Sequence, residues 1–261
     1  MYAPLTDLSQ ARILVSNDDG IDAPGIALLE RIARTLSDDV WVVAPETEQS
    51  GAGHALTLHH PLRFRQLGDK RFSVTGTPTD CVMLAVNHFM AKAGRPDLIL
   101  SGINRGGNLG DDIIYSGTVA AAMEGTLFEL RAIALSQVME EGLPALDWSP
   151  AEAMAEQVIR RACACAWPKN VMVNVNFPAK PPAEILPPEV THQGCRKLGD
   201  EIILRSDPRD RPYLWIGPKR AEEPNIAGSD LEAVTRGAVS ITPLTVDLTS
   251  RQTMSDLSKV F

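Results

Sequence analysis

RILVSNDDGIDAPG, residues 12–25, passes from an apolar run to a pair of acids and then to a helix start. Ile13, Leu14 and Val15 are bounded by polar residues, the pattern of a buried strand. Ser16, Asn17, Asp18, Asp19 and Gly20 follow at once. Two adjacent carboxylates repel one another when desolvated, so after a buried strand they require something positive against them. Gly20 admits a sharp turn. Beyond Pro24 and Gly25, residues Ile26, Leu28, Leu29, Ile32, Ala33 and Leu36 fit one helix face. Asp18 and Asp19 therefore stand where a strand hands over to a helix. In an open α/β sheet that edge is where ligands bind.

The same alternation continues outward. Strands are expected at 12–16, 40–44, 71–74, 97–100, 132–135 and 171–175. Ala55–Leu67 also reads as a strand, with a hairpin around Gly68-Asp69. Helices are expected at 24–36, at 81–93 behind Thr77 or Thr79 as N-cap, at 119–130 and at 150–167. Strands alternating with helices to about residue 178 mean βαβ units and a mostly parallel sheet. After Pro178 the texture changes: Pro181, Pro182, Pro187 and Pro188 punctuate the chain, 190–220 reads as extended strands and turns, and a last strand at 238–241 is closed by Pro243. The expected organisation is an α/β core over 11–178, a loosely ordered N-terminal extension over 1–10 and a β-rich C-terminal extension over 179–261.

The 261 residues are 44% hydrophobic and carry a net charge of −8, enough for a full core and against disorder. No basic stripe stands out, which excludes a binder of duplex nucleic acid. Cys81, Cys163, Cys165 and Cys195 lack the spacing of zinc knuckles and read as reduced, structural thiols. MYAPLTDLSQ lacks the basic start and apolar run of a signal peptide, and no stretch is long enough to span a bilayer. A cytoplasmic protein without membrane contact is expected.

Polar clusters follow the expected strands at Asn17-Asp18-Asp19, at Ser50 in its loop, at Ser101–Asn108 and at Asn174 and Asn176. In a parallel sheet these strand ends share one edge. Two carboxylates with hydroxyl and amide oxygens make a hard oxygen site suited to Mg²⁺ or Mn²⁺. Gly102, Gly106, Gly107 and Gly110 let backbone N–H groups approach an anion. Ser116, Gly117 and Thr118 open an Ala-rich helix, whose N-terminus is a ready phosphate site. A carboxylate-held metal beside such a cradle is the layout of a metal-assisted phosphatase. Singly, each feature also has a plain reading: Asp18-Asp19 as turn residues, Asn104 and Asn108 as left-handed turn residues, Ser116 and Thr118 as helix caps. His54 alone of the histidines falls near the Ser50 loop, and Asp111-Asp112 is a second acidic feature or a solvated turn. GxGxxG is absent, which disfavours a dinucleotide oxidoreductase.

ILVSNDDGIDAPGI, VVAPETEQSGAGHALTL, TGTPTDCV, SGINRGGNLGDDIIYSGTVAAAMEG and NVNFP together resemble the survival protein E (SurE) family of 5′-nucleotidases. THQGCRKLGDEIILRSDPRDRPYLWIG and SDLEAVTRGAVSITPL extend the resemblance from Arg12 to about Asp247. It implies a Rossmann-like sheet whose C-terminal extension exchanges between subunits of a homodimer or homotetramer. It implies hydrolysis of nucleoside 5′-monophosphates with one divalent metal, Mg²⁺ or Mn²⁺, per subunit. The family's metal ligands match Asp18, Asp19, Ser50 and Asn104. Its phosphate and substrate residues match Asn17, Gly51, Gly102, Asn108, Ser116, Gly117 and Thr118, with Asp18, Asp19 and Asn108 closest to the chemistry. Ala55 and Ala238 depart from the family's frequent Ser and Tyr. The attacking group stays open between water activated by the metal and an aspartate carboxylate. A broader phosphoester hydrolase (3′-nucleotidase or exopolyphosphatase) and a nucleotide-binding protein without turnover are the alternatives.

Overall fold

The computed structural model describes residues 1–140, 145–198, 201–217, 220–222 and 226–261. One nine-stranded sheet organises them. Strands β1 (Ile13–Ser16), β2 (Val40–Pro45), β4 (Arg71–Val74), β5 (Leu98–Arg105), β6 (Arg131–Gln137) and β7 (Val171–Phe177) run parallel in the order β4-β2-β1-β5-β6-β7. β3 (Phe64–Gly68) adds antiparallel to β4 at one edge. At the other, β13 (Ala238–Thr245) pairs antiparallel with β7 and parallel with β8 (Leu186–Val190).

Both faces of the sheet are covered, which is why its strands are continuously apolar. Along β1, Ile13 and Val15 join the core under α1 (Pro24–Leu36) and α4 (Ser149–Cys163). Leu14 joins the opposite core with α2 (Pro78–Leu84) and α3 (Gly117–Leu127). Small residues on α3 let it lie close to the strands: Ala121 and Ala122 are fully buried, and a Cβ on Gly125 would sit 2.4 Å from Ile99 Cδ1. α2 starts in a capping box, in which Thr77 and Asp80 each accept the other's backbone N–H.

The chain goes from β1 to β2 on one side and later places β5 on the other side of β1. The strand order thus reverses between β1 and β5, the crevice where ligands bind in such sheets. Asp18-Asp19 and Asn104–Asn108 flank that crevice.

Several expectations change. Residues 1–10 are anchored rather than loose: Leu8 is buried in the core, Tyr2 N–H donates to the Trp167 carbonyl and Leu5 N–H to the Cys163 carbonyl. Arg131, buried, donates to the Ala3 carbonyl and lies over the rings of Tyr2 and Trp167 at 5.1 and 4.5 Å. Residues 55–63 form no strand; Thr57 is instead tied to Asp80 through its N–H and hydroxyl. The helix after Thr77 ends its α-helical course at Leu84 and continues as a π-turn over Ala85–Phe89. β13 runs through Pro243, because β8 ends its pairing at Ile241 and the missing N–H there faces no partner strand. The C-terminal region adds helices α5 (Asp230–Arg236) and α6 (Arg251–Leu257). It also adds a short ribbon of β9 (Arg196–Leu198) with β12 (Arg220–Glu222), and a hairpin of β10 (Ile202–Ser206) with β11 (Pro212–Ile216). All four cysteines are free. Among the described residues no helix is long and apolar enough to cross a membrane.

Candidate active site

β1 delivers Asn17 and Asp18 into the crevice. Asn17 Nδ2 donates to the Gly20 carbonyl at 2.9 Å and closes the turn, while its buried Oδ1 has no partner. Asp18 is 4% exposed. Its Oδ1 accepts from the Thr118 hydroxyl, and its carbonyl accepts from Gln49 N–H, which draws the Ser50 loop in. Gly117 makes this approach possible: a Cβ there would lie 2.6 Å from Asp18 Cβ. Burial pushes the Asp18 carboxyl above its ordinary value, against hydrogen bonds from Thr118 and the backbone at the start of α3. Asp19 is pushed up to about 6, by burial first and by the Asp18 charge second. Its Oδ2 accepts from Arg105 N–H at 3.0 Å. Among the described residues no lysine or arginine side chain forms an ion pair with either acid.

β5 supplies the other side. Its register slips between Ser101 and Asn104, a bulge that re-aims the strand end. Gly102, at φ +131°, sits in that slip, and a Cβ there would meet the Leu135 carbonyl at 2.2 Å. Asn104 Nδ2 donates to the Gly106 carbonyl at 2.8 Å, which leaves Oδ1 as its acceptor. Asn108 is fixed from three directions. Its N–H donates to Asn176 Oδ1, its carbonyl accepts from Asn174 and Asn176, and its Nδ2 donates to Ser136 Oγ. Ser116 caps α3 by accepting from Val119 N–H.

Asp18, Ser50, Gly51, Asn104, Asn108 and Ser116 line one cavity of about 560 Å³. Asn17, Gly102, Gly117 and Thr118 are buried. The Thr118 hydroxyl serves Asp18. Asp19 opens instead onto a neighbouring cavity with Asp22, Glu46, Glu48 and Trp148. Ser50 Oγ donates to Glu48 Oε1 at 2.8 Å between the two. His54 pairs with the buried Glu124 at 2.9 Å. Asp112 is no solvated turn residue, for it pairs with Arg196 at 2.6 Å. Sequence reasoning missed Arg105, Leu109, Tyr115, Val138, Met139 and Arg196 on the cavity wall. Arg196 lies inside the motif THQGCRKLGD, the one signal that marked it.

This donor set fits a hard divalent cation: two desolvated carboxylates that no side chain among the described residues joins in an ion pair, although the Arg105 charge acts on Asp19, with a hydroxyl and an amide oxygen, beside the unpartnered Asn17 Oδ1. Among the described residues no three His, Cys, Asp or Glu side chains converge.

The sequence model of the family described as survival protein SurE matches residues 13–200. The chain belongs to the SurE family. The protein named 5′-nucleotidase SurE of Rhodospirillum rubrum is 62% identical over 263 residues, covering 100% of each chain. That of Paramagnetospirillum magneticum is 58% identical over 260 residues, covering 100% and 99%. The crystal structure of SurE protein from Aquifex aeolicus superposes with a TM-score of 0.81 at 36% identity, over 95% of this chain and 98% of that one. The SurE resemblance read from the motifs is thereby borne out, as is the mostly parallel sheet.

Proposed function

We infer that this chain is a 5′-nucleotidase that hydrolyses nucleoside 5′-monophosphates to nucleoside and phosphate with one divalent metal per subunit, Mg²⁺ or Mn²⁺. The observation that carries the reading is a single cavity joining the buried Asp18 to Asn108 and Ser116, on a chain 62% identical end to end to a protein named 5′-nucleotidase SurE.

Asp18, Asp19, Ser50 and Asn104 would hold the metal. Bound there, it supplies Lewis-acid neutralisation of phosphate charge. The remaining work falls to the chain itself. Asn108, Ser116 and Gly51 face the cavity and orient the phosphoryl group by hydrogen bonds, and the start of α3 adds its positive dipole end. Thr118, Gly117, Gly102 and Asn17 act from behind the wall by holding Asp18 and the strand ends in place. Asp18 takes the more direct part and Asp19 that of a ligand, because Asp18 shares the cavity with Asn108 and Ser116. The attacking group is water or the Asp18 carboxylate. Leu109, Tyr115, Val138 and Met139 offer the nucleoside an apolar wall.

In this reading residues 11–178 are the catalytic core and 179–261 an oligomerisation arm whose β13 returns to the core, in a cytoplasmic homodimer or homotetramer. The β10–β11 hairpin supports it: Ile202, Leu204, Leu214, Trp215 and Ile216 are all exposed, Trp215 to 63%.

The test is phosphate release from a panel of 5′- and 3′-nucleotides and polyphosphate, with Mg²⁺, Mn²⁺ or EDTA, beside Asp18→Asn. Metal-dependent release from 5′-nucleotides that the variant loses is the expected result. Normal turnover by Asp18→Asn would overturn the site assignment. A 3′-nucleotide or polyphosphate preference would move the substrate to a broader phosphoester class.

A further inference from the structure

The motifs THQGCRKLGD and SDLEAVTRG supply no metal ligand to the proposed site and reach its cavity wall through Arg196, and they converge on the loop that carries Asn108 and Ser116. Asp230, in the first turn of α5, is fully buried. Its Oδ2 accepts from Gly110 N–H at 2.9 Å, and its Oδ1 accepts from Gly194 N–H at 2.8 Å and Leu231 N–H at 2.9 Å. One carboxylate thus bridges the loop and the C-terminal extension. Arg196 repeats the tie two residues on: its N–H donates to Asp111 Oδ2 at 3.1 Å and its Nη2 to Asp112 Oδ2 at 2.6 Å. A Cβ on Gly110 would lie 2.9 Å from the Arg196 nitrogen, so the two segments pack backbone to backbone. Residues 110–112, the part gripped, lie midway between Asn108 and Ser116. From the opposite side Asn174 and Asn176 hold the Asn108 backbone.

We propose that Asp230 and Arg196 are positioning residues that set the Asn108–Ser116 loop for the phosphoryl group, so that the C-terminal extension completes a site whose metal ligands lie entirely in the core. This rests on the nucleotidase reading above. The physical reason is the donor count. A buried carboxylate satisfies all three N–H groups, whereas the amide of Asp230→Asn has one acceptor oxygen and sets an NH₂ against a donor. The loop then loses one anchor while Asp18, Asp19, Ser50 and Asn104, which it does not contain, keep theirs.

The experiment compares the full-length wild type with Asp230→Asn, Arg196→Gln and Arg196→Lys. Three quantities are read: steady-state hydrolysis of a nucleoside 5′-monophosphate, the inhibition constant of inorganic phosphate, and Mn²⁺ affinity by electron paramagnetic resonance titration. Asp230→Asn and Arg196→Gln should lower kcat/KM and weaken phosphate by about tenfold or more, the size of one lost charge-assisted bond. Mn²⁺ affinity should stay within about twofold of wild type, and Arg196→Lys, which keeps the charge facing Asp112, should recover most of the loss. Wild-type kinetics in both folded variants would overturn the proposal. So would Mn²⁺ affinity falling in step with activity, since that marks general damage. If Asp230→Asn does not fold, Arg196→Gln decides. A wild type that releases no phosphate from any nucleotide sinks the nucleotidase reading itself, and this proposal with it.

Discussion

Replacing Gly117 by alanine tests whether the placement of Asp18 matters more than its presence. The new Cβ would lie 2.6 Å from Asp18 Cβ and 2.9 Å from its Oδ2. Relaxed carbon contacts need about 3.5–4.0 Å, so Asp18 or the start of α3 must yield by about 1 Å. Neither yields cheaply. Asp18 is held by its Thr118 bond and by the Gln49 N–H on its carbonyl, and α3 is packed on the sheet. Overpacking of this kind costs about 1–3 kcal/mol, and alanine in place of glycine in a helix gives back up to about 1 kcal/mol. Net stability should fall by no more than about 3 kcal/mol, a shift of several degrees at this chain length. Activity is more sensitive, because a misplacement of about 1 Å can cost about a hundredfold in rate. The expected outcome is kcat/KM lower by about two orders of magnitude with a melt lowered by no more than several degrees. Gly125→Ala, two turns further along the same helix, is the control: its Cβ would press the flexible Ile99 Cδ1 of β5 and should cost stability alone. Wild-type kcat/KM in folded Gly117→Ala would refute the reasoning, whatever the melt shows.

Three further outcomes follow from the structure. Asp19 binds its proton near 6 when folded, above the ordinary 3.8, and Asp18 shifts the same way. The folded state therefore takes up protons more readily, and its stability rises as pH falls through about 6. In EDTA the melting temperature should rise from about pH 7 to about pH 5, and the increment given by Mn²⁺ should be smaller at the lower pH; a metal-free melt that drops over that interval counts against the assignment. Arg131→Met removes the donor to the Ala3 carbonyl and the cation beneath two rings. It should cost about 2–4 kcal/mol and speed amide exchange over residues 1–8, which exchange mass spectrometry reads directly. Trp215→Ser should shift the mass seen by light scattering toward a smaller species, and an unchanged assembly would remove the hairpin from the proposed interface.

The core was legible where both neighbours of an element are local. The helix over 24–36 carries its own apolar stripe and a proline at its start, and the structure places it at those residues. Thr77 and Thr79 both offered themselves as the cap of the next helix; the structure uses Thr77, with Asp80 completing a capping box. Residues 55–63 looked like part of a strand but lie mostly exposed, and Asp80, far along the sequence, satisfies the Thr57 backbone. α5 and α6 are too short for periodicity to register; only the caps Ser229 and Ser250 and the left-handed Gly237 mark them. The two acids were legible as a site because charge after a buried strand is costly. Their separation into two cavities was not, since it depends on which neighbour each side chain faces. Arg196 escaped because its partner Asp112 precedes it by 84 residues, and no local rule links them.

The position of β1 also governs how the chain is made. β1 is a central strand, yet its two partners arrive at different times: β2 soon after it, and β5 only from Leu98. While the chain emerges from the ribosome, Ile13–Ser16 stays an unpaired apolar edge until Leu98–Ser101 has left the exit tunnel. Such edges recruit foreign strands, and non-local parallel pairing is slow to form. A nascent fragment stopped before Leu98 should therefore aggregate through the edge of β1, and one ending just past Ser101 through β5, whose own partner β6 begins only at Arg131.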